Sequence, residues 1–385
     1  MPRRNQISSE ISSVKKLIAR QLSDSPINPI GDKLLELIAV LEADDGAITD
    51  SQARKVLQDA RIMLDSLPKS FGSRFEFDSA MISSMAEDWS EHSPCLSGMI
   101  LPNHGSEWGH LTVPMPCWDG NAAHSVDVIL LPGDDDLSDI DLLEYPWITH
   151  ELGHNLHFRN ERFIDLFQDR LDERIVELRS LAVADRGAAK QRSSETIDFY
   201  NSVWRPSRDH NNWSHEIAMD VVALWTCGPA FIASYEDHLD RNAPDPFLVD
   251  GNHPPYHLRT LALVDAASRL DWADYLSPLN SRTTEWDKTA PHTFEYAVLH
   301  DDELLMSAVT CGLRFCNALK LPRLNPVSMQ DIKNSAAKGK SLEFGTGLLV
   351  GAWAANQSMR ESDYENWHTR VIQELADSVK LEFQQ

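Results

Sequence analysis

The segment at 149–156 reads Thr-His-Glu-Leu-Gly-His-Asn-Leu, and it constrains the fold more than any other part of the 385-residue chain. Histidines spaced four residues apart lie one turn apart on the same face of a helix. Both imidazoles can then reach a single ion at about 2.0–2.1 Å from each nitrogen. Pro146 precedes the segment and suits the first position of a helix. We therefore expect a helix over 146–160 that presents His150 and His154 as metal ligands.

A glutamate directly follows the first of these histidines. Glu151 projects toward the same cleft, where a carboxylate can take a proton from a metal-bound water. Leu152 and Leu156 fall on the face expected to point into a core. The pattern predicts Glu151 as a general base on a helix that is packed on its opposite side.

A catalytic zinc ion takes three protein ligands and keeps a fourth position for water, so one more ligand is needed. A third histidine with metzincin spacing would fall at Asn160, which excludes that arrangement. Glu216 opens an apolar helix and is the best candidate. Asp220 lies four residues later on the same face, placed to accept a hydrogen bond from the far nitrogen of a ligand histidine. The alternative third ligands are Glu161 and Glu173.

Apolar residues recur at helical spacing in three short segments near the N-terminus, at 9–23, 34–41 and 53–67. The third segment is entered through Thr49-Asp50-Ser51, which are suitable N-caps, and it stops at Pro68. These patterns predict a small three-helix bundle over residues 1–70.

The amino-acid composition changes at about residue 71, where Trp, Pro and Gly become frequent. His110–Val113 and Val126–Leu131 are typical of strands. Helical spacing then returns, which predicts a fold of the α+β class, predominantly α, with a small sheet before the helix of His150. We expect a central core over 71–280 and a C-terminal helical subdomain over 281–385. The predicted later helices lie near 146–160, 161–185, 214–236, 255–270, 295–320, 344–358 and 361–382.

The chain is strongly acidic, with 59 Asp and Glu against 35 Lys and Arg and a formal charge of −24. That balance argues against nucleic-acid and anionic-membrane partners, because both require a basic face. No stretch approaches 18 uncharged apolar residues, and the N-terminus lacks the apolar core of a secretory signal. Five scattered cysteines without a CxxC pattern favour reduced thiols. We expect a cytoplasmic protein.

With its HExxH motif and a downstream Glu216-xxx-Asp220, the chain resembles the gluzincin metallopeptidases, the zincins whose third zinc ligand is a glutamate. The resemblance covers roughly residues 105–260. Glu216 follows His154 by 62 residues, a longer separation than in thermolysin-like enzymes. The resemblance implies a zincin-like core, one Zn²⁺ per chain held by His150, His154 and Glu216, Glu151 as the base, and Asp220 as support.

These residues predict a zinc-dependent metallopeptidase that hydrolyses polypeptides. His253 is the candidate that stabilises the oxyanion, with Tyr256, His257 and Arg259 as alternatives. Two other functions stay open. One is a catalytically silent zincin-like zinc module that acts as an interaction or regulatory protein, and the other is a zinc amidohydrolase of a small molecule. The helical segment at 1–70 is a possible docking site for a protein partner.

Overall fold

The computed structural model of the chain describes residues 2–22, 25, 27–43, 48–69, 71–90, 99–114, 125–134, 136–159, 161–182, 188–206, 212–243, 245–249, 253–289, 293–337 and 342–382. Contacts gather the chain into two compact units. The first comprises 1–83, 97–140 and 374–385, and the second comprises 84–96 and 141–373. Both units contain helices, and the first also contains a sheet.

The first unit is built on the predicted N-terminal helices. α1 packs against α2 and α3, and the core between them is lined by side chains at three- and four-residue spacing such as Val14, Ile18, Leu34, Leu57 and Leu64. The repeating apolar positions thus become the buried stripe of each helix. The helices of this region are α1 (Pro2–Leu22), α2 (Asn28–Ala43), α3 (Asp50–Ser66) and α4 (Ser73–Ser90), of which α4 runs on into the second unit.

α3 begins with the cap that the sequence predicts. The Thr49 hydroxyl accepts the backbone N–H of Gln52 at 3.3 Å, and the Gln52 side chain accepts the backbone N–H of Thr49 at 3.0 Å. This reciprocal pair satisfies two N–H groups that a helix start otherwise leaves unbonded. The helix ends at Ser66, and Leu67 is its C-cap, directly before Pro68.

The sheet has three strands, β1 (Met99–Gly105), β2 (Gly109–Pro114) and β3 (Ser125–Pro132), in the order β1-β3-β2. β3 pairs in parallel with β1 and antiparallel with β2, so that Val128 lies opposite both Leu101 and Leu111. The central strand buries Val126, Val128, Ile129 and Leu131. Its nearly continuous apolar sequence follows from this central position.

The second unit is helical and is centred on one helix. It contains α5 (Trp147–Arg159), α6 (Glu161–Ala182), α7 (Ala188–Trp204), α8 (Trp213–Cys227), α9 (Pro229–Asn242), α10 (Tyr256–Arg269), α11 (Ser277–Thr289), α12 (Phe294–Leu299), α13 (Asp302–Ala318), α14 (Pro326–Ala337), α15 (Thr346–Ser358) and most of α16 (Glu361–Glu382). α8 contacts α5, α7, α9, α10, α13 and α15. All but one of its residues are buried, which makes it the core helix of this unit.

The structure confirms the α+β, predominantly α class and both predicted strands. Two of the helix predictions are wrong, because each predicted segment forms two helices in the structure. The segment 214–236 breaks at Gly228, which has φ 54° and ends α8. The segment 295–320 breaks at His300 because Asp301 caps a new helix by accepting the N–H of Leu304 at 3.1 Å.

Four helices and one strand were not predicted: α4, α7, α11, α14 and β1. In α4 the buried face carries charge, since Arg74 and Asp78 form an internal ion pair at 3.0 Å. Charged residues at core positions hide the apolar period on which a helix prediction rests. The change of composition at about residue 71 therefore coincides with α4.

The division into domains at 1–70, 71–280 and 281–385 stays a prediction. Among the described residues, no helix combines the length and apolarity needed to span a bilayer. Cys227, Cys311 and Cys316 are buried free thiols. Cys95 and Cys117 lie outside the described residues.

Candidate metal centre

The HExxH segment lies in α5, whose start is fixed by Pro146. The carbonyl of Pro146 accepts the N–H of Thr149 at 3.1 Å and its hydroxyl at 2.5 Å. Every residue from Trp147 to Leu156 is buried, and Leu152 and Leu156 point into the core as predicted. His150, Glu151 and His154 are thereby placed in the interior on a rigid helix.

A close contact between helices brings α8 to this motif. A β-carbon at Gly153 would lie 2.7 Å from Met219 Sδ and 3.3 Å from Val222 Cγ1. Only a glycine permits this separation without a shift of the neighbours. The glycine inside the motif is thus the point at which the second helix approaches the histidines.

Glu216 lies in the first turn of α8. Asn212 caps this helix by accepting the N–H of His215 at 3.3 Å, and Ser214 donates to the same Asn212 oxygen at 2.8 Å. A carboxylate is favoured at this end because the helix dipole places partial positive charge there. The cap and the glycine contact together aim Glu216 at α5.

Three side chains converge on one point. The Nε2 atoms of His150 and His154 are 3.3 Å apart, and Glu216 oxygens lie 3.3 Å from the first and 3.5 Å from the second. Two ligands of a tetrahedral ion, each about 2.0–2.1 Å from it, are about 3.3–3.4 Å apart. Oε2 of Glu216 faces His150 and Oε1 faces His154, so the triangle formed by the three side chains has donor-to-donor separations that suit a small tetrahedral cation.

The donor set also has unmet capacity. Oε1 of Glu216 is buried and lacks a hydrogen-bond partner among the described residues. A buried carboxylate oxygen in that condition costs free energy unless a cation or proton meets it. Imidazole nitrogen and carboxylate oxygen are ligands that zinc accepts. These residues fit a bound divalent ion.

The electrostatic environment attracts positive charge. Burial opposes a charged imidazole, but neighbouring carboxylates outweigh burial and raise the pKa of His150 to about 10. Burial alone would raise the pKa of Glu216, but the histidines His154, His150 and His253 lower it. The cluster thus favours a cation held between ionised carboxylates.

Glu151 also borders this set of donors. One of its carboxylate oxygens lies within 4.8 Å of a ring nitrogen of His150 and of a ring nitrogen of His154, so these three residues also form a group that could hold a metal ion. Burial is the largest influence on it and raises the pKa of Glu151 to about 7, against the opposing charge of His150. Glu151 is therefore a buried carboxyl group close to the converging donors.

Asp220 meets the opposite side of the first histidine, where the sequence placed it. Its Oδ1 lies 3.0 Å from Nδ1 of His150, although the ring is turned off the ideal hydrogen-bond direction. Burial opposes ionisation of Asp220, but Arg259 and His150 lower its pKa. A carboxylate behind a ligand histidine orients the ring and makes it a better donor.

The structure separates the candidates for an oxyanion donor. His253 is exposed and lies near enough to Glu216 to affect its pKa. The Tyr256 hydroxyl forms a hydrogen bond with His238 at 3.0 Å. His257 forms hydrogen bonds with Tyr296 and, at 3.1 Å, with Asp287. Arg259 donates hydrogen bonds to Asp220. His253 stays the predicted oxyanion donor.

Glu173, one of the two alternative third ligands, does not join the cluster. Glu173 on α6 is exposed and pairs with Arg170 at 2.9 Å. The side chain of Glu161 lies outside the described residues. Sequence reasoning also missed Trp147, whose ring centroid is 5.4 Å from that of His150. Its place three residues before the histidine, on the same helix face, is the one sign of this contact in the sequence.

No family model matches the chain, and neither a curated protein nor a solved structure is significantly similar to it.

Proposed function

We propose that this protein is a zinc-dependent metallopeptidase with a gluzincin-type site in a zincin-like core. The observation that carries the proposal is the convergence of His150, His154 and Glu216 on one point, with Glu151 buried beside them. A structural zinc site would usually close its fourth position with another protein ligand. A separate carboxylate next to three donors supports catalysis instead.

The residues of the chain divide the chemistry between them. A bound zinc ion supplies Lewis-acid polarisation and acidifies a water molecule. Glu151 accepts a proton from the attacking water and delivers it to the leaving amine. His253 donates a hydrogen bond to the oxyanion that develops on the substrate carbonyl. Asp220 keeps His150 oriented throughout.

The acidic surface supports a class of substrate. Residues 1–80 carry 12 acidic and 11 basic side chains, so nearly all of the net charge of −24 belongs to the rest of the chain. Such a field attracts cationic polypeptides and repels acidic ones. We expect basic or neutral polypeptides to be the preferred substrates inside a reducing, cytoplasmic compartment.

The experiment that tests the function compares wild type with Glu151→Gln on a peptide library. Glutamine keeps the shape of the side chain but cannot accept the proton, so internal cleavages should disappear while bound zinc and the melting temperature are retained. Glu303→Gln, an exposed change on α13, is the matched control and should cleave normally.

Other outcomes identify the alternatives. Unchanged cleavage by Glu151→Gln would contradict the mechanism. Zinc binding without hydrolysis of peptides or small amides by wild type would indicate the silent zinc module. Hydrolysis of small amides with no internal peptide cleavage would indicate the amidohydrolase.

A further inference from the structure

Arg259 is an arginine in the interior of the second unit. It lies on α10 and is only 5% exposed. Burying a guanidinium is costly unless it is paired and hydrogen-bonded. Its contacts therefore indicate what the side chain is for.

Both contacts to its partner are close. Nε of Arg259 donates to Oδ2 of Asp220 at 2.9 Å, and Nη2 donates to Oδ1 at 2.6 Å. This two-point geometry fixes a carboxylate in direction as well as in charge. The same Oδ1 lies 3.0 Å from Nδ1 of His150. One oxygen of Asp220 is thus shared between the guanidinium and the imidazole.

Two aromatic rings hold the guanidinium in place. Cζ of Arg259 is 5.5 Å from the ring centroid of Trp147 and 5.8 Å from that of Tyr235. These are cation–π distances. Trp147 also packs against His150, with centroids 5.4 Å apart. Arg259 and His150 therefore both pack against the ring of Trp147.

We propose that Arg259 is a positioning residue, which acts through Asp220 to set the orientation and tautomer of His150. This inference rests on the proposed metal site. Asp220, held in a fixed direction by the two-point contact with Arg259, favours a proton on Nδ1 of His150 and leaves Nε2 directed at His154 and Glu216. Nε and Nη2 are committed to Asp220, and this contact assigns Arg259 to the positioning of a ligand.

Two single variants and one double variant test whether Arg259 acts through Asp220. Zinc affinity of the full-length protein is measured by competition with a chromophoric chelator for Arg259→Lys, Asp220→Asn and Arg259→Met/Asp220→Asn. Arg259→Lys keeps the charge but loses the two-point contact, so we expect affinity to fall about 10-fold, and Asp220→Asn should fall by about 10–100-fold. The double variant, which leaves no unpaired buried charge, should bind as Asp220→Asn does.

The matched control is Arg282→Lys. Arg282 donates to Asp240 at 2.7 Å and lies 6.0 Å from the ring of Trp286, so it makes similar contacts away from the site. Its zinc affinity should equal that of wild type. An unchanged affinity in Arg259→Lys, or a double variant much weaker than Asp220→Asn, would overturn the inference.

The Nδ1 proton of His150 supplies a second readout. In the zinc-loaded protein with ¹⁵N-labelled histidine, the Nδ1–H of His150 should exchange slowly with solvent in wild type and faster in Arg259→Lys, because the variant no longer holds Asp220 against that proton. An unaltered exchange rate in that variant would contradict a positioning role. A protein that binds zinc with this dependence but cleaves nothing would refute the proposed function alone. Cleavage with an affinity unaffected by Arg259→Lys would refute this inference alone.

Discussion

Gly153 and Met219 approach so closely that a β-carbon on Gly153 would lie 2.7 Å from the Met219 sulfur. The contact joins α5 to α8, the two helices that supply the converging donors. The separation of these helices sets the size of the donor triangle. A substitution here should therefore affect both stability and metal binding.

Gly153→Ala is the first test. The added methyl group also meets Val222, at 3.3 Å, so a turn of the Met219 side chain alone cannot relieve it. Overpacking of this kind costs about 1–3 kcal/mol, and we expect urea unfolding to show that loss together with weaker zinc binding. Gly347→Ala is the control, because no atom lies within 4 Å of a β-carbon there. Equal stability of the two variants would contradict the close-contact account.

Glu216→Gln tests the third ligand. The change keeps the side-chain volume but replaces a charged oxygen donor with a weaker neutral one. We expect zinc affinity to fall by more than the roughly 10–100-fold that follows loss of an outer hydrogen-bond partner. Zinc content per chain, determined by elemental analysis after identical dialysis, provides the measurement.

Glu173→Gln is the matched control for that experiment. Glu173 is exposed in its pair with Arg170, so its loss should leave zinc content at about that of wild type. Loss of zinc in Glu173→Gln with retention in Glu216→Gln would reassign the third ligand.

Asp301 should make stability depend on pH. Burial opposes ionisation of Asp301, but the N–H of Leu304, the hydroxyl of Tyr200 and the guanidinium of Arg174 lower its pKa below the ordinary 3.8. A lowered folded-state pKa means that the stabilisation is fully present above that ordinary value. It is lost as the pH falls through the lower folded-state pKa.

Asp301→Asn removes the charge but keeps a residue that caps helices well. We expect a loss of roughly 1–3 kcal/mol at pH 7, and a smaller difference from wild type at pH 3. Urea unfolding at the two pH values measures it. Asp302→Asn, at an 80% exposed side chain, is the control and should change little at either pH. A difference that stays constant with pH would rule out the carboxylate as its cause.

Thr49→Ala tests the cap of α3. It removes the hydroxyl that accepts the N–H of Gln52, and such losses cost about 1 kcal/mol. Ser51→Ala, in the first turn of the same helix and exposed, should cost less than half as much. Denaturant unfolding of both variants gives the comparison. Equal losses would indicate that helix propensity, and not the cap, accounts for the effect.

His150 and His154 could be proposed from sequence because their spacing follows from helix geometry, and Glu216 could be proposed because it opens an apolar helix four residues before Asp220. Helical periodicity places residues four apart on one face, and the ExxxD pattern on a second helix supplies the candidate third ligand and the carboxylate that supports a histidine. What spacing cannot provide is the angle and distance between two helices. Those depend on tertiary contacts such as that of Gly153 with Met219 and Val222.

The features that the sequence analysis missed depend on contacts or backbone angles that exist only in the folded chain. Arg259 lies in a helix with an ordinary apolar pattern, and its partner Asp220 is 39 positions away in the chain, so the pairing exists only in the fold. Gly228 divides a long helical pattern through a positive φ that apolar spacing does not report. In α4, the buried Arg74 and Asp78 replace apolar residues at core positions. Periodicity therefore missed α4, whose buried face carries charge.

β3 has a consequence for handling the protein. In the folded chain its main-chain groups are shared with β1 on one side and β2 on the other. Val126–Leu131 is also a six-residue stretch of high β-propensity with one charged residue, Asp127, the composition of segments that stack into fibrils. When heat opens the first unit, molecules can pair through this stretch before they refold. The rate of aggregation during storage would then depend on protein concentration and on how often β3 separates from β1 and β2.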